Sequence, residues 1–144
     1  FYGNLQTAAY LLTHGADIEA TNFDGETPLF VAAANGQNEM VKFLLNKGAK
    51  LNQADNSGET PLHEAATSGH TDLAALLIAK GAKVNARTKQ GNTPLHAAVS
   101  YNRLDMVALL IAHKADRNLT NSDGLTAYEL AFREGHNEIA KFLK

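Results

Sequence analysis

Gly58-Glu59-Thr60-Pro61-Leu62 is written into this chain more than once. It stands as Gly25-Glu26-Thr27-Pro28-Leu29 33 residues earlier and as Gly91-Asn92-Thr93-Pro94-Leu95 33 residues later, with a weakened copy at Gly124-Leu125-Thr126-Ala127-Tyr128. A second marker keeps the same register: Gly15-Ala16, Gly48-Ala49, Gly81-Ala82 and the altered Lys114-Ala115. A fixed period of this length marks a stacked repeat, in which each unit buries its apolar face only against the next. Residues that recur in every copy are scaffold, so function sits where the copies differ.

Each copy reads as two short helices and a turn. Thr27 is an N-cap and Pro28 occupies the first helical position, where its missing N–H is harmless. Leu29, Ala32 and Ala33 form a small apolar stripe, and Gly36 supplies a left-handed stop. Asn38 is the expected cap of a second helix carrying Met40, Val41, Phe43, Leu44 and Leu45, which Gly48 ends. Leu73, Ala74, Leu76, Leu77 and Ile78, then Met106, Val107, Leu109, Leu110 and Ile111, repeat the pattern, with Leu76, Leu45, Ile78 and Ile111 expected in the core. Alanines 65, 66, 97 and 98 let neighbouring units approach closely. Neither helix reaches the roughly 12–15 residues needed for stability alone, so the stack is the fold.

Composition narrows the function classes. Apolar content of 44% fits a folded chain, and a formal charge of −2 argues against general affinity for nucleic acid or anionic membranes. No apolar run approaches the roughly 20 residues that span a bilayer. The absence of cysteine excludes disulfides, thiolate metal sites and a cysteine nucleophile, and fits a reducing compartment. The first residues have no signal-peptide pattern. The chain opens at Phe1 partway through a unit, with Gly3 in the register of Gly36, Gly69 and Gly135 and expected as a helix stop, so it reads as a piece of a longer protein.

The run Gly-x-Thr-Pro-Leu-His, two alanines, Gly-His, a Leu-Leu segment and Gly-Ala-x-Val-Asn resembles the ankyrin repeat, over essentially the whole chain. The resemblance implies an all-α solenoid of stacked helix-turn-helix units with projecting β-turn or hairpin loops. It divides the chain into a partial unit (1–21), full units 22–54, 55–87 and 88–120, and a shortened capping unit (121–144). It also implies a concave groove lined by loop tips and first helices. Departures are local. Phe30 replaces the histidine of His63 and His96, which in the family knits neighbouring units by hydrogen bonds. Lys114 and Asn102 replace glycines; a lysine in left-handed geometry costs on the order of 1 kcal/mol. Ala127, Tyr128, Phe132 and Lys144 alter the last unit in the way expected of a cap facing water.

No catalytic constellation emerges. His63-Glu64-Ala65-Ala66-Thr67 begins like a zinc-protease helix but lacks the second histidine. His14, His70, His113 and His136 lie in separate units near helix ends, where capping a carbonyl or facing solvent is the ordinary role. Ser57, Ser68, Ser100 and Ser122 lie at turns or repeat surfaces without a nucleophile elbow. Neither metal nor cofactor is expected, and neither is enzymatic activity; turnover dependent on His63 or His96 would overturn this. Asn118-Leu119-Thr120 matches the glycosylation pattern, although its equivalents Asn52 and Asn85 read as loop scaffold. The resemblance also implies asparaginyl hydroxylation, for which Asn85 fits best, preceded by Leu77 and Val84.

The positions that differ at fixed register define the candidate partner surface. Beside the turn glycines they are Phe23, Asp24, Glu26; Asn56, Ser57, Glu59; Lys89, Gln90, Asn92; and Ser122, Asp123, Leu125. At the ends of the first helices they include Asn35, Ser68, Tyr101, Arg133, Glu134 and, in the partial unit, Tyr2. In the ankyrin family these two strips line the concave face. Tyr2, Phe23 and Tyr101 are candidate aromatic anchors. Carboxylates Asp24, Glu26, Asp55 and Glu59 crowd the early turns, and Arg87 and Lys89 the next. The expected function is a non-catalytic scaffold for a protein or peptide partner, monomeric, binding neither nucleic acid nor membrane. Two alternatives stand beside it: a targeting module of a larger enzyme or membrane channel, and a structural spacer in a longer solenoid. An intracellular, cytoplasmic location is expected, with the nucleus or a host-cell cytosol open.

Overall fold

The computed structural model describes residues 2–144, with side chains from Asn4 onward. Phe1 and the side chain of Tyr2 lie outside the described residues. Among those described there are nine helices and no strand; one isolated antiparallel bridge joins Thr120 to Thr126. They run α1 (Tyr2–Thr13), α2 (Pro28–Ala34), α3 (Asn38–Asn46), α4 (Pro61–Ser68), α5 (Thr71–Ala79), α6 (Pro94–Ser100), α7 (Leu104–Ala112), α8 (Ala127–Arg133) and α9 (Asn137–Leu143).

The order of packing follows from the alanines. Helices α2, α4, α6 and α8 pack in one row, and each is backed by its own second helix, α3, α5, α7 or α9. Ala33, Ala65, Ala66, Ala98 and Ala131 are fully buried along the first row, so backbones there come close. The second row, spaced by Leu73, Leu77, Met106, Val107 and Leu110, packs less closely. Closer packing along the first row than along the second is what the concave side expected from the resemblance requires. The core is one continuous cluster from Leu29 to Leu143.

Ladders of hydrogen bonds at the repeat spacing tie the pairs together. Successive loops join through Asn56 N–H to Asp24 O (2.9 Å), Lys89 N–H to Ser57 O (2.9 Å) and Ser122 N–H to Gln90 O (2.8 Å). A side-chain ladder runs beside them. Glu19 accepts from Lys50 N–H at 2.7 Å, Asn52 from Lys83 N–H at 2.9 Å and Asn85 from Asp116 N–H at 2.9 Å. A third rung reaches back to the ends of first helices, from His70 Nε2 to Ala34 O (3.1 Å) and Arg103 Nε to Thr67 O (3.2 Å). The loops can meet because Gly25 (φ 82°) has no side chain; a Cβ there would lie 2.6 Å from Asn56 Oδ1.

Several local expectations change. Gly3 is inside α1 and does not stop a helix. At Gly36, Gly69 and Gly135 the chain reverses between paired helices, whereas α1 runs straight through that register. The N-cap of α3 is Gln37, not Asn38, and it makes no side-chain capping bond. The tight reversal, with Gln37 N–H on Ala32 O at 2.9 Å, starts the helix one residue early. Leu76, Leu45, Ile78 and Ile111 are half-buried; Val41, Leu44, Leu73, Leu77 and Leu110 fill the core. A two-turn helix wedged between neighbours buries only the residues facing them, and Leu76 lies to one side of that stripe.

Lys114 adopts φ 65° and Asn102 φ 54°, both in the left-handed region, so of the two outcomes open for Lys114, strained or differently wound, the first holds. Asparagine tolerates it, whereas lysine carries its Cβ into it at a cost. Lys114→Gly is expected to stabilise the chain by about 0.5–1 kcal/mol, read as a higher melting temperature. No rise would mean that the α7 end is already relaxed.

Candidate functional site

The candidate surface is assembled from loop tips and first-helix ends, and the helix caps hold it in place. Each loop is stapled by its first residue. Asn22 Oδ1 accepts from Asp24 and Glu26 N–H (both 3.0 Å), Asp55 Oδ1 from Ser57 (2.9 Å) and Glu59 (2.8 Å), and Asn121 Oδ1 from Asp123 and Leu125 (both 3.1 Å). Thr88 does the same through its hydroxyl to Asn92 N–H at 3.2 Å. Asp55 is therefore a loop staple. Arg87 is likewise engaged, donating to Thr120 O at 2.7 Å.

His63 and His96 are buried parts of this frame. His63 Nδ1 accepts from Thr60 N–H (3.1 Å) and is 2.9 Å from the Thr60 hydroxyl, leaving Nε2–H to donate to Asn92 O at 3.1 Å. His96 repeats this with Thr93 and with Leu125 O at 3.0 Å. Burial lowers both pKa values, so the neutral ring is favoured. With both ring nitrogens bonded, neither histidine offers a free base. Phe30, in the same register, fills the volume and makes none of these bonds. His14 caps Tyr10 O at 2.8 Å, His113 is exposed at the end of α7, and His136 lies 3.4 Å from Glu134.

The expected surface residues divide into two groups. Phe23, Asp24, Asn35, Asn56, Lys89, Gln90, Tyr101, Ser122, Asp123, Arg133 and Glu134 are exposed. Phe23 is fully so, and Tyr101 is 57% exposed at the end of α6. Asn56 also clasps the preceding loop through Nδ2 to Phe23 O at 3.0 Å, and Arg133 lies 3.6 Å from Asp123. Glu26, Ser57, Glu59, Ser68, Asn92 and Leu125 are half-buried. Ser57 bonds Asp55, Ser68 bonds Glu64, and Asn92 takes Nδ2–H of Asn121 on its Oδ1 at 3.1 Å. Leu125 packs on the core.

Two residues were missed. Glu64 on α4 sits within electrostatic reach of Glu26, Asp55 and Glu59. Burial raises the pKa of Glu59, and Asp55 and Glu64 push it further. Burial also raises that of Glu64, against the Ser68 hydrogen bond that lowers it and with Glu26 and Asp55 adding repulsion. Val31 is the other, exposed on α2. Both could have been found by the rule used for the rest, since Val31, Glu64, Ala97 and Leu130 differ at one register.

Among the described residues no group of three or more His, Cys, Asp or Glu could hold a metal ion. Nor is any described helix long and apolar enough to cross a membrane. Asn85, although exposed, is committed to Asp116 N–H, so its amide holds the next loop.

Comparison with protein families agrees with this architecture. The family model for ankyrin repeats in three copies matches residues 1–88, and that for ankyrin repeats in many copies matches 77–131. The chain belongs to the ankyrin-repeat family. Ankyrin repeats act in general as protein–protein interaction modules. Comparison with curated proteins gave no match.

Proposed function

We propose that this chain is a non-catalytic scaffold that binds a protein or extended peptide along its concave face. Each loop with its helix pair is read as one unit, with bounds 22–54, 55–87, 88–120 and 121–144, after a partial unit 1–21. One observation carries the reading: at fixed register, the residues that stay constant are buried or hydrogen-bonded, whereas most of those that differ are exposed along one side. A stack that needed only itself would have no cause to display a fully exposed Phe23.

Phe23 and Tyr101 are the anchors of this reading, because large rigid rings with a polar rim make binding hot spots. Asp24, Glu26, Glu59 and Glu64 lie on the Phe23 side of the face. The crowding that raises Glu59 and Glu64 is relieved when a cation arrives, so a partner that brings a basic side chain there is favoured.

Phe23→Ala and Tyr101→Ala are each expected to weaken partner binding by at least about 1 kcal/mol while changing stability by less than about 0.5 kcal/mol. The partner comes from affinity capture with this chain, beside the double variant as control, and titration then gives the loss. Equal binding by the parent and both variants would remove the anchors from the face.

A further inference from the structure

Lys50 and Lys83 stand in a register where two other copies carry an aspartate. There Asp17 accepts from Glu19 N–H and Asp116 from Asn118 N–H, each at 2.9 Å, so the aspartate staples the start of its loop. A lysine side chain has no acceptor to offer. The two central units therefore forgo a bond that the framework favours and display an ammonium in its place. Stacking does not call for this, because both lysines are exposed.

Three residues earlier, the C-caps of α3 and α5 are Lys47 and Lys80, also exposed. Cations there complement the carbonyl ends of the helices, which accounts for this pair but not for Lys50 and Lys83, beyond the helix ends. The four lysines form a block, two on each of two adjacent units, at the ends of the second helices and so in the row behind the first helices. Among the described residues the ion pairs use Lys42, Arg133, His136 and Lys141, and none of these four. Lys47 lies over the Phe43 ring, 5.9 Å from its centroid, and Glu19 holds the backbone N–H of Lys50. We propose that this block is a second interaction surface, which binds an acidic segment of a partner protein in extended form.

Spacing and surroundings select that occupant. Neighbouring helices pack roughly 8–10 Å apart, a distance that an extended chain covers in about three residues at roughly 3.3 Å each. Carboxylates three residues apart therefore meet lysines of successive units. The block is short: Asp17 and Glu19 flank it in the unit before, and Asp116 in the unit after, where Lys114 carries the positive charge one residue further. A lipid surface or a nucleic-acid backbone, anionic throughout and longer than two units, would run onto those carboxylates, whereas a short acidic segment ends before them. No large apolar side chain is exposed within 46–54 or 79–87, so the block has nothing to insert into lipid or to stack on a base. This surface is independent of the concave face and of its partner.

The test is fluorescence anisotropy of a short labelled peptide with glutamate at every third position, titrated with the chain in about 0.1 M and about 1 M salt, where the Debye length falls from roughly 10 Å to roughly 3 Å. Saturable binding is expected in the lower salt and its loss in the higher. Lys50→Asp combined with Lys83→Asp is expected to weaken binding about tenfold or more. Its melting temperature should be no lower than that of the parent chain, because each aspartate can restore the loop staple. Lys50→Gln with Lys83→Gln, which removes the charge alone, should weaken binding in the same direction. Lys141→Asp with Lys144→Asp makes the same change in net charge at the far end of the chain and is expected to leave binding within about twofold, since charges beyond a Debye length are screened. Absence of binding, an equal loss in both aspartate variants, or tighter binding to phosphatidylserine vesicles or single-stranded DNA than to the peptide would each overturn the proposal.

Discussion

Leu77→Ala is expected to cost about 2–5 kcal/mol of stability, the range for emptying a fully buried leucine site. Leu77 has no exposed surface and lies in the α5 stripe with Leu73 and Ala74, in the middle of the continuous core. The loss should be shared by neighbours, because each helix pair is stable only through the pairs on either side. Leu76→Ala is the internal control. Leu76 is half-buried, so its truncation exposes less new surface and should cost clearly less. Chemical denaturation of the two variants gives the comparison; equal losses would mean that the α5 face is wrongly assigned.

His63→Ala is expected to cost about 2–4 kcal/mol, through lost packing and a buried Thr60 N–H left without its acceptor. Asn92 O would keep only Thr88 N–H, at 2.9 Å. His63→Phe copies the neighbouring register, where Phe30 is buried without those bonds, and should cost less than His63→Ala. If His63→Ala melts with the parent chain, the histidine contributes nothing to joining the units.

The pH dependence has a definite sign. His63 and His96 have folded pKa values lowered from 6.5, so the folded state favours the neutral ring. Their contribution is complete above pH 6.5 and is lost as pH falls from there through the lowered folded values. Protonation at Nδ1 would abolish its acceptance from Thr60 and Thr93. Glu59 and Glu64 act in the opposite direction, since their folded values are raised from 4.5 and their penalty is relieved as pH falls through those values. The His63→Phe variant should therefore lose less stability than the parent chain between neutral pH and the lowered histidine range.

Much of the molecule was legible in the sequence because its determinants are local and repeated. Thr-Pro pairs start first helices, glycines end them, and a repeat of this length cannot bury its apolar residues except by stacking. These are properties of a few consecutive residues, and each copy restates them. The strips of differing positions were legible for the same reason, and most of the side chains on them are exposed. Glu64 was hidden because it lies within a helix rather than at a turn, although its register varies.

What only the tertiary structure decided concerns contacts about one repeat apart. Nothing local in Asn52 or Asn85 says which N–H of the following unit it will meet, or in Arg103 that it will reach back to Thr67 O. The same holds for Leu76 and Leu77, adjacent residues whose burial differs because only one faces the neighbouring pair. The approach of Glu26 to Glu64 arises from stacking one loop on the next, whereas Asp55, Glu59 and Glu64 crowd one another within a single unit. Local chemistry sets the units; the distance between them sets which side chains remain available for binding.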